Sequence, residues 1–302
     1  MGNRVRLTVR LAGLLAGAAL AASVAVTATA PAAGATAQAA STASSAGPAG
    51  VGAWSAAVEN AATGRLLWSR GLNTKRPMAS ITKVMTAFLV LRAGHLDRAI
   101  TIPAAVTGYV RSHNASNAGL HPGDRLTARQ LLYALLLPSG ADAAYALARA
   151  YGPGIPAFVA RMNAMARLLG MHRTHFSNFD GLPYPTSYSN YSTTANLLTL
   201  GRAAMLRPLF RSIVAQRSYR IAAGPGHHAY RWKNLNPLLG RYPGAIGIKP
   251  GYTRAAGQCL LFEATRHGYS VIGVALHSPG SITTIDSADA TRILNWAFSR
   301  PH

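Results

Sequence analysis

Apolar side chains run round every side of one stretch: Ile81, Val84, Met85, Ala87, Phe88, Leu89, Val90 and Leu91, with Gly94 closing the run. A helix with no polar face belongs inside a protein, so residues 76–92 are read as a buried central helix. Pro77 lies just upstream, where a missing N–H costs little, and Ser80 falls where the helix would begin. Toward the N-terminus, residues 53–59 and 65–69 form two short strands around a turn carrying Gly64. Residues 95–121 are loop-like with short extended pieces. Thr127 and Gln130 make a capping box that opens a helix to Leu137, which Pro138 ends. Further helices follow over 139–150, 156–169, 195–205 and 209–216, the third of these capped by Ser192 or Thr193. Between them, 176–191 is a long polar and aromatic loop.

The period then changes. Residues 218–222, 245–249, 258–264 and 270–276 alternate as strands, and 281–298 closes the chain as a helix. A two-stranded hairpin alone is marginal. The strands at the two ends should therefore share one antiparallel sheet against the central helix, with the helical middle as a subdomain and a cleft between. The class is mixed α/β.

On the first turn of the central helix, Ser80 and Lys83 are three residues apart and so share a face. A serine is a poor nucleophile alone, but a neighbouring neutral amine can take its proton. Desolvation and a second cation both lower a lysine's pKa, and the backbone N–H at a helix start can face a developing oxyanion. Without partners the same pair is only an N-cap and a solvated lysine. Two partners fall in suitable places: Ser139 at a helix start after Pro138, and Lys249 at a strand end before a turn.

Composition narrows the setting. The formal charge is +22, and 27 bases face 8 acids once Arg4, Arg6 and Arg10 are set aside. Such an excess attracts anionic partners. Those three arginines form a basic head before an apolar run over 11–26, with Ala33-Gly-Ala35 or Ala37-Gln-Ala39 as cleavage sites, which reads as an export signal over 1–39. Uncleaved, it would serve as an N-terminal membrane anchor. Residues 40–52 read as an Ala/Ser-rich linker, leaving 53–302 as the folded domain. Export argues against nucleic acid, and no basic run is interleaved with stacking aromatics. Anionic wall polymers or lipid head groups suit an exported basic protein better, while bases scattered for solubility would explain the charge equally well. Cys259 is alone, so no disulfide framework or thiolate metal site is expected, and it reads as a core residue. Among many arginines only Lys75, Lys83, Lys233 and Lys249 are lysine, the one base of the two that can lose its proton.

Taken in order, Ser80-x-x-Lys83, Ser139-Gly-Ala141 and Lys249-Pro-Gly251 resemble the three motifs of penicillin-binding proteins and serine β-lactamases. Flanking residues narrow the resemblance to the D-alanyl-D-alanine carboxypeptidase family, the low-molecular-mass penicillin-binding proteins. They are Pro77-Met-Ala-Ser80-Ile-Thr-Lys83-Val-Met-Thr-Ala87, Leu136-Leu-Pro-Ser139-Gly-Ala-Asp-Ala-Ala144, Phe176-Ser-Asn178 with Gly181-Leu182, Tyr191-Ser-Thr193, Asn234-Leu-Asn236 with Leu238-Leu239, and Gly247-Ile-Lys249-Pro-Gly-Tyr-Thr253. The resemblance implies a DD-peptidase/β-lactamase-like fold and a serine hydrolase of the cell wall without cofactor or metal. By it, Ser80 attacks the bond between the terminal D-alanines of a peptidoglycan stem peptide, Lys83 is its base, and Ser139 relays a proton to the leaving amine. Lys249 holds the substrate carboxylate and helps keep Lys83 neutral. Gly251 lies in the same substrate-binding strand, and the N–H groups of Ser80 and Tyr252 form the oxyanion hole. Penicillins should acylate the same serine.

Two positions depart from the family pattern. Ala141 stands where asparagine is usual, and Pro250 where threonine or serine is usual. Each removes a hydrogen bond worth roughly 1.5 to 3 kcal/mol, about ten- to a hundredfold in rate. Pro250 is tolerable only on an outer strand. Other readings therefore stay open: a catalytically impaired wall-binding module, a DD-endopeptidase, or a β-lactamase. The last needs a positioned carboxylate for deacylation, and the loop after Gly170 offers only Asp180.

Overall fold

The computed structural model describes residues 47–280 and 287–300, so the expectations for 1–46 and the start of the closing helix lie outside the described residues. The chain opens with the hairpin β1 (Ser55–Asn60) and β2 (Leu66–Arg70), then β3 (Arg76–Pro77) and a 3₁₀ turn (Ala79–Ile81) that runs into α1 (Thr82–Ala93). The helical lobe holds β4 (Ala99–Thr101), α2 (Ala105–Ser112), β5 (Arg125–Thr127), α3 (Ala128–Leu136), α4 (Ala141–Tyr151) and α5 (Ile155–Leu168). After β6 (Tyr191–Ser192) come α6 (Thr194–Met205), α7 (Pro208–Ala215) and a second hairpin, β7 (Ser218–Ile221) with β8 (Tyr230–Lys233). Three long strands follow, β9 (Ala245–Thr253), β10 (Gly257–Arg266) and β11 (Tyr269–Ser278), and α8 (Ala288–Phe298) ends the fold.

Strands from both chain ends do share one antiparallel sheet, ordered β2-β1-β11-β10-β9. The early strand β1 lies beside the late strand β11, with Ser55 opposite Leu276 and Asn60 opposite Val271. On one face, α8 buries Ile293, Leu294 and Ala297 against Val58, Leu260, Phe262 and Val271. The other face carries Leu261, Ile272, Val274 and Leu276 into the main core with α1, whose Val84, Met85, Ala87 and Val90 are fully buried. That burial explains a helix with no polar face. Cys259 is buried in the same sheet, and desolvation pushes its thiol up to about 12, so it is inert packing.

Four differences from the sequence expectations have local causes. The stretch 95–121 contains α2, a short helix of which only Val106 is buried, so little of it carries an apolar signal. The strand expected at 218–222 gains a hairpin partner, β8, whose Tyr-Arg-Trp-Lys alternation is only four residues long. The strand expected to stop at Lys249 continues through Pro250 to Thr253, because β9 is the outermost strand and a proline there disrupts no pairing on its free side. Residues 47–52, read as the end of a linker, lie against the domain: Val51 is buried, its carbonyl accepts from Arg70 Nη1 at 2.7 Å, and the Gly52 N–H donates to Asp289 at 2.8 Å.

The chain's two glutamates both tie the sheet to helices. Glu59 on β1 meets Arg202 of α6 at 3.2 Å, and Glu263 on β10 meets Arg211 of α7 at 2.7 Å. Burial pushes the Glu59 carboxyl up to about 6 despite Arg202. A folded-state pKa above the unfolded value means the protonated form is the favoured one. This contribution is present below about pH 4.5 and is lost as pH rises through 6. The loss is at most about 2 kcal/mol and smaller near the solvent-facing rim. Glu59→Gln should therefore gain stability relative to the parent, by about 1 kcal/mol, between pH 4.5 and 7 in urea titrations. A pH-independent difference would contradict this.

Candidate active site

Ser80 sits in the 3₁₀ turn that leads into α1, half-buried, and its Oγ is 3.0 Å from Lys83 Nζ one turn on. Lys83 is 1% exposed. Its ammonium group also donates to the carbonyl of Asp180 at 2.8 Å, and Thr86 Oγ1 donates to the carbonyl of Phe179 at 2.6 Å. The loop 178–182 is thus stapled along the first turns of α1. Asn178 shapes it, with Oδ1 accepting from the Gly181 N–H and Asn190 Nδ2, each at 2.8 Å. Gly181 has φ +90 and lies so close that a Cβ would stand 1.9 Å from the Ala79 carbonyl oxygen, so only glycine fits. The Asp180 carboxylate is itself engaged, accepting from Tyr109 Oη at 2.9 Å and the Leu182 N–H at 3.1 Å.

The outer strand β9 forms the facing wall. Gly251 comes so near the helix start that a Cβ there would lie 2.8 Å from the Ser80 nitrogen. Lys249 is fully buried, with Nζ donating to the Pro250 carbonyl at 3.2 Å, and Tyr252 is half-buried beyond it. The two amines feel each other. Burial, then the Lys83 charge, pull Lys249 well below the ordinary lysine value of 10.5. Burial lowers Lys83 as well, against the opposing pull of Asp180 and then Asp142. Burial is the leading cause for each amine, in line with the expectation that desolvation and a second cation together lower a lysine, and the repulsion belongs to the pair.

Ser139 stands just before α4 with φ +64, 5% exposed, and its Oγ has no hydrogen-bond partner among the described residues. A buried hydroxyl without a partner is costly and suits a group held for a ligand. It makes no direct bond to Ser80 or Lys83. Its position is set by the loop between α2 and β5, which carries no motif of its own. Ser116 Oγ donates to the Ser139 carbonyl at 2.7 Å, and the Ala141 N–H donates to the Ser116 carbonyl at 2.8 Å. The Asp142 carboxylate gathers the N–H groups of Ala118, Leu120 and Ala143 at 2.9 to 3.0 Å. An acid in the first turn of α4, after Ser139-Gly-Ala141, was the available signal. Ala141, 1% exposed, puts only a methyl where an amide was expected.

The arrangement is therefore a serine hydroxyl against a desolvated amine, a second buried amine beside it, and an unpartnered hydroxyl on a third element. A family model described as D-alanyl-D-alanine carboxypeptidase matches residues 40–280. The chain is 42% identical over 252 residues to a D-alanyl-D-alanine carboxypeptidase of Streptomyces sp. strain K15, covering 80% of this chain and 85% of that protein. It is 38% identical over 240 residues to D-alanyl-D-alanine carboxypeptidase DacB2 of Mycobacterium tuberculosis, covering 78% and 79%. The crystal structure of the Streptomyces K15 DD-transpeptidase superposes with a TM-score of 0.77 at 41% identity, over 83% of this chain and 98% of that one.

The Asp142 cluster generates a structural test. Asp142→Ala leaves buried N–H groups unbonded, each costing about 1 to 3 kcal/mol. The variant should lose about 3 kcal/mol in urea unfolding, with faster amide exchange at Ala118 and Leu120. Unchanged exchange there would show that the loop is held by other means.

Proposed function

The chain belongs to the D-alanyl-D-alanine carboxypeptidase family and is a serine-type hydrolase of peptidoglycan stem peptides that binds β-lactams; from that premise we propose how its own residues divide the reaction. Ser80 Oγ attacks the carbonyl carbon of the penultimate D-alanine, and its proton passes to neutral Lys83 Nζ across the 3.0 Å between them. The oxyanion is held by the backbone N–H groups of Ser80 and Tyr252. Lys83 then returns the proton through Ser139 Oγ to the departing D-alanine nitrogen as the C–N bond breaks. Water releases the acyl group from Ser80. Lys249 binds the terminal carboxylate through its charge. An incoming carboxylate favours a protonated Lys249, and a protonated Lys249 in turn favours the neutral form of Lys83.

The observation that carries this reading is the sealed amine: Lys83, 1% exposed, in contact with the only half-buried serine hydroxyl of its turn. Labelling with a fluorescent penicillin should be strong in the parent and absent in Ser80→Ala, and D-alanine release should fall by about 10³-fold or more in the same variant. A lysine with a lowered pKa is neutral, and active as a base, at pH values above that lowered pKa. Acylation should accordingly fall as pH drops through a value below 10.5 and be lost in Lys83→Arg. A folded parent that neither labels nor releases D-alanine would leave the wall-binding module.

Ala141 and Pro250 act in this reading as losses of binding groups rather than of the nucleophile. Ala141→Asn and Pro250→Thr should each raise kcat/KM for D-alanine release by about ten- to a hundredfold, with penicillin labelling preserved throughout. No gain in either variant would mean that the strand and helix have adapted to work without those groups. We further assign residues 1–39 to a cleaved export leader and 53–302 to the catalytic domain. Among the described residues no helix is long and apolar enough to cross a membrane.

A further inference from the structure

The β7–β8 hairpin has two unlike faces. Inward, Tyr219 stacks on Tyr133 with ring centroids 3.7 Å apart, Trp232 Nε1 donates to the Ala118 carbonyl at 2.8 Å, and the Tyr230 hydroxyl donates to Asp124. Outward, Ser218, Arg220, Arg231 and Lys233 are all exposed. Arg217 precedes them, and Arg217, Ser218, Arg231 and Lys233 line a surface hollow.

Among the described residues no acid answers these cations. Every acid among the described residues is engaged elsewhere: Asp97 with Arg129, Glu59 with Arg202, Glu263 with Arg211, Asp289 with Arg292, Asp124 with His228 and Tyr230, Asp142 with backbone N–H groups, and Asp180 with Tyr109. Moreover Arg220 and Arg231 are directly opposed across the hairpin. Like charges in register on neighbouring strands repel and destabilise the pair. An anion lying between them removes that cost.

From this we propose that the outward face of β7–β8, with Arg217, is a docking site for a phosphodiester-linked anionic polymer of the cell wall. The cations extend along the strands over roughly 10 to 13 Å, with side chains two residues apart about 6.6 to 7 Å from each other. One phosphate cannot span that; a chain with a charge repeating along its backbone can. Guanidinium groups bind phosphate oxygens in pairs and keep their charge at any wall pH. The face also lies beside the cleft. The Asn234 N–H donates to the Arg217 carbonyl at 2.9 Å, and the Leu235 N–H donates to the carbonyl of Leu137, two residues before Ser139, at 3.1 Å. A polymer held there keeps the cleft on wall material. The proposal rests on the family's place at the wall and not on the roles assigned within the cleft.

The test uses the mature protein with a synthetic poly(glycerol phosphate) oligomer of about ten repeats, followed by anisotropy at several salt concentrations. One variant combines Arg217→Ala, Arg231→Ala and Lys233→Ala. A control removes the same charge at exposed arginines elsewhere, Arg65→Ala, Arg149→Ala and Arg167→Ala. The hairpin variant should bind at least tenfold more weakly, with its log–log salt dependence flatter by about 2, while the control changes less than threefold. Penicillin labelling at Ser80 should be equal in all three proteins, so a failure of the cleft reading would show in the parent's labelling and not in polymer binding. Equal weakening in both variants would reduce the effect to net charge and overturn the site. Binding of poly-L-glutamate as tight as that of the phosphate polymer would overturn the phosphodiester assignment.

Discussion

The structure turns on the removal of one ammonium group from water. Lys83 lies on the first turn of a helix that is apolar all round, so its side chain is carried into the core with the helix. An amine in that position keeps its charge only at considerable cost, and its two close contacts, Ser80 Oγ and the Asp180 carbonyl, serve the neutral amine as well as the charged one. A strong nucleophile then needs neither a histidine nor a carboxylate nearby. The chain is correspondingly poor in acids, and those that the structure describes serve as ties between elements.

Three separate elements must meet for that amine to be useful, and each is held by a different kind of contact. The 3₁₀ turn and α1 are fixed by hydrophobic burial and by the stapled loop 178–182. Strand β9 is fixed by eight residues paired with β10 and by the bare backbone of Gly251, which lets it approach the Ser80 nitrogen. The Ser139 carbonyl is held by Ser116, whose loop the carboxylate of Asp142 gathers at Ala118 and Leu120. The last arrangement is the most exposed to disturbance, since a buried N–H loses much more when its acceptor is removed than a methylene loses when its neighbour shifts.

Much of this was legible in the chain itself. The unbroken apolar run 81–91 demanded burial, the capping box at Thr127 and Gln130 marked α3, and the return of strand periodicity after 218 required the two ends to share a sheet. The Ser80-x-x-Lys83 spacing alone placed hydroxyl beside amine, because helical geometry is local. Asp142 was legible as an acid in a helix's first turn, but its partners Ala118 and Leu120 are distant in sequence and carry no pattern of their own.

What only the tertiary structure decided are quantities that depend on who is adjacent. No local pattern says that Gly181 must clear the Ala79 carbonyl, or that Gly251 must clear the Ser80 nitrogen. The same is true of the two lysines: residue type told that each could lose its proton, but that both are lowered follows from the desolvation that arises when the sheet closes on α1. Periodicity reports which face of an element is buried, since that repeats within a few residues. Charge regulation at a site assembled from residues 80, 139 and 249 does not repeat along the chain, and so it exists only in the folded molecule.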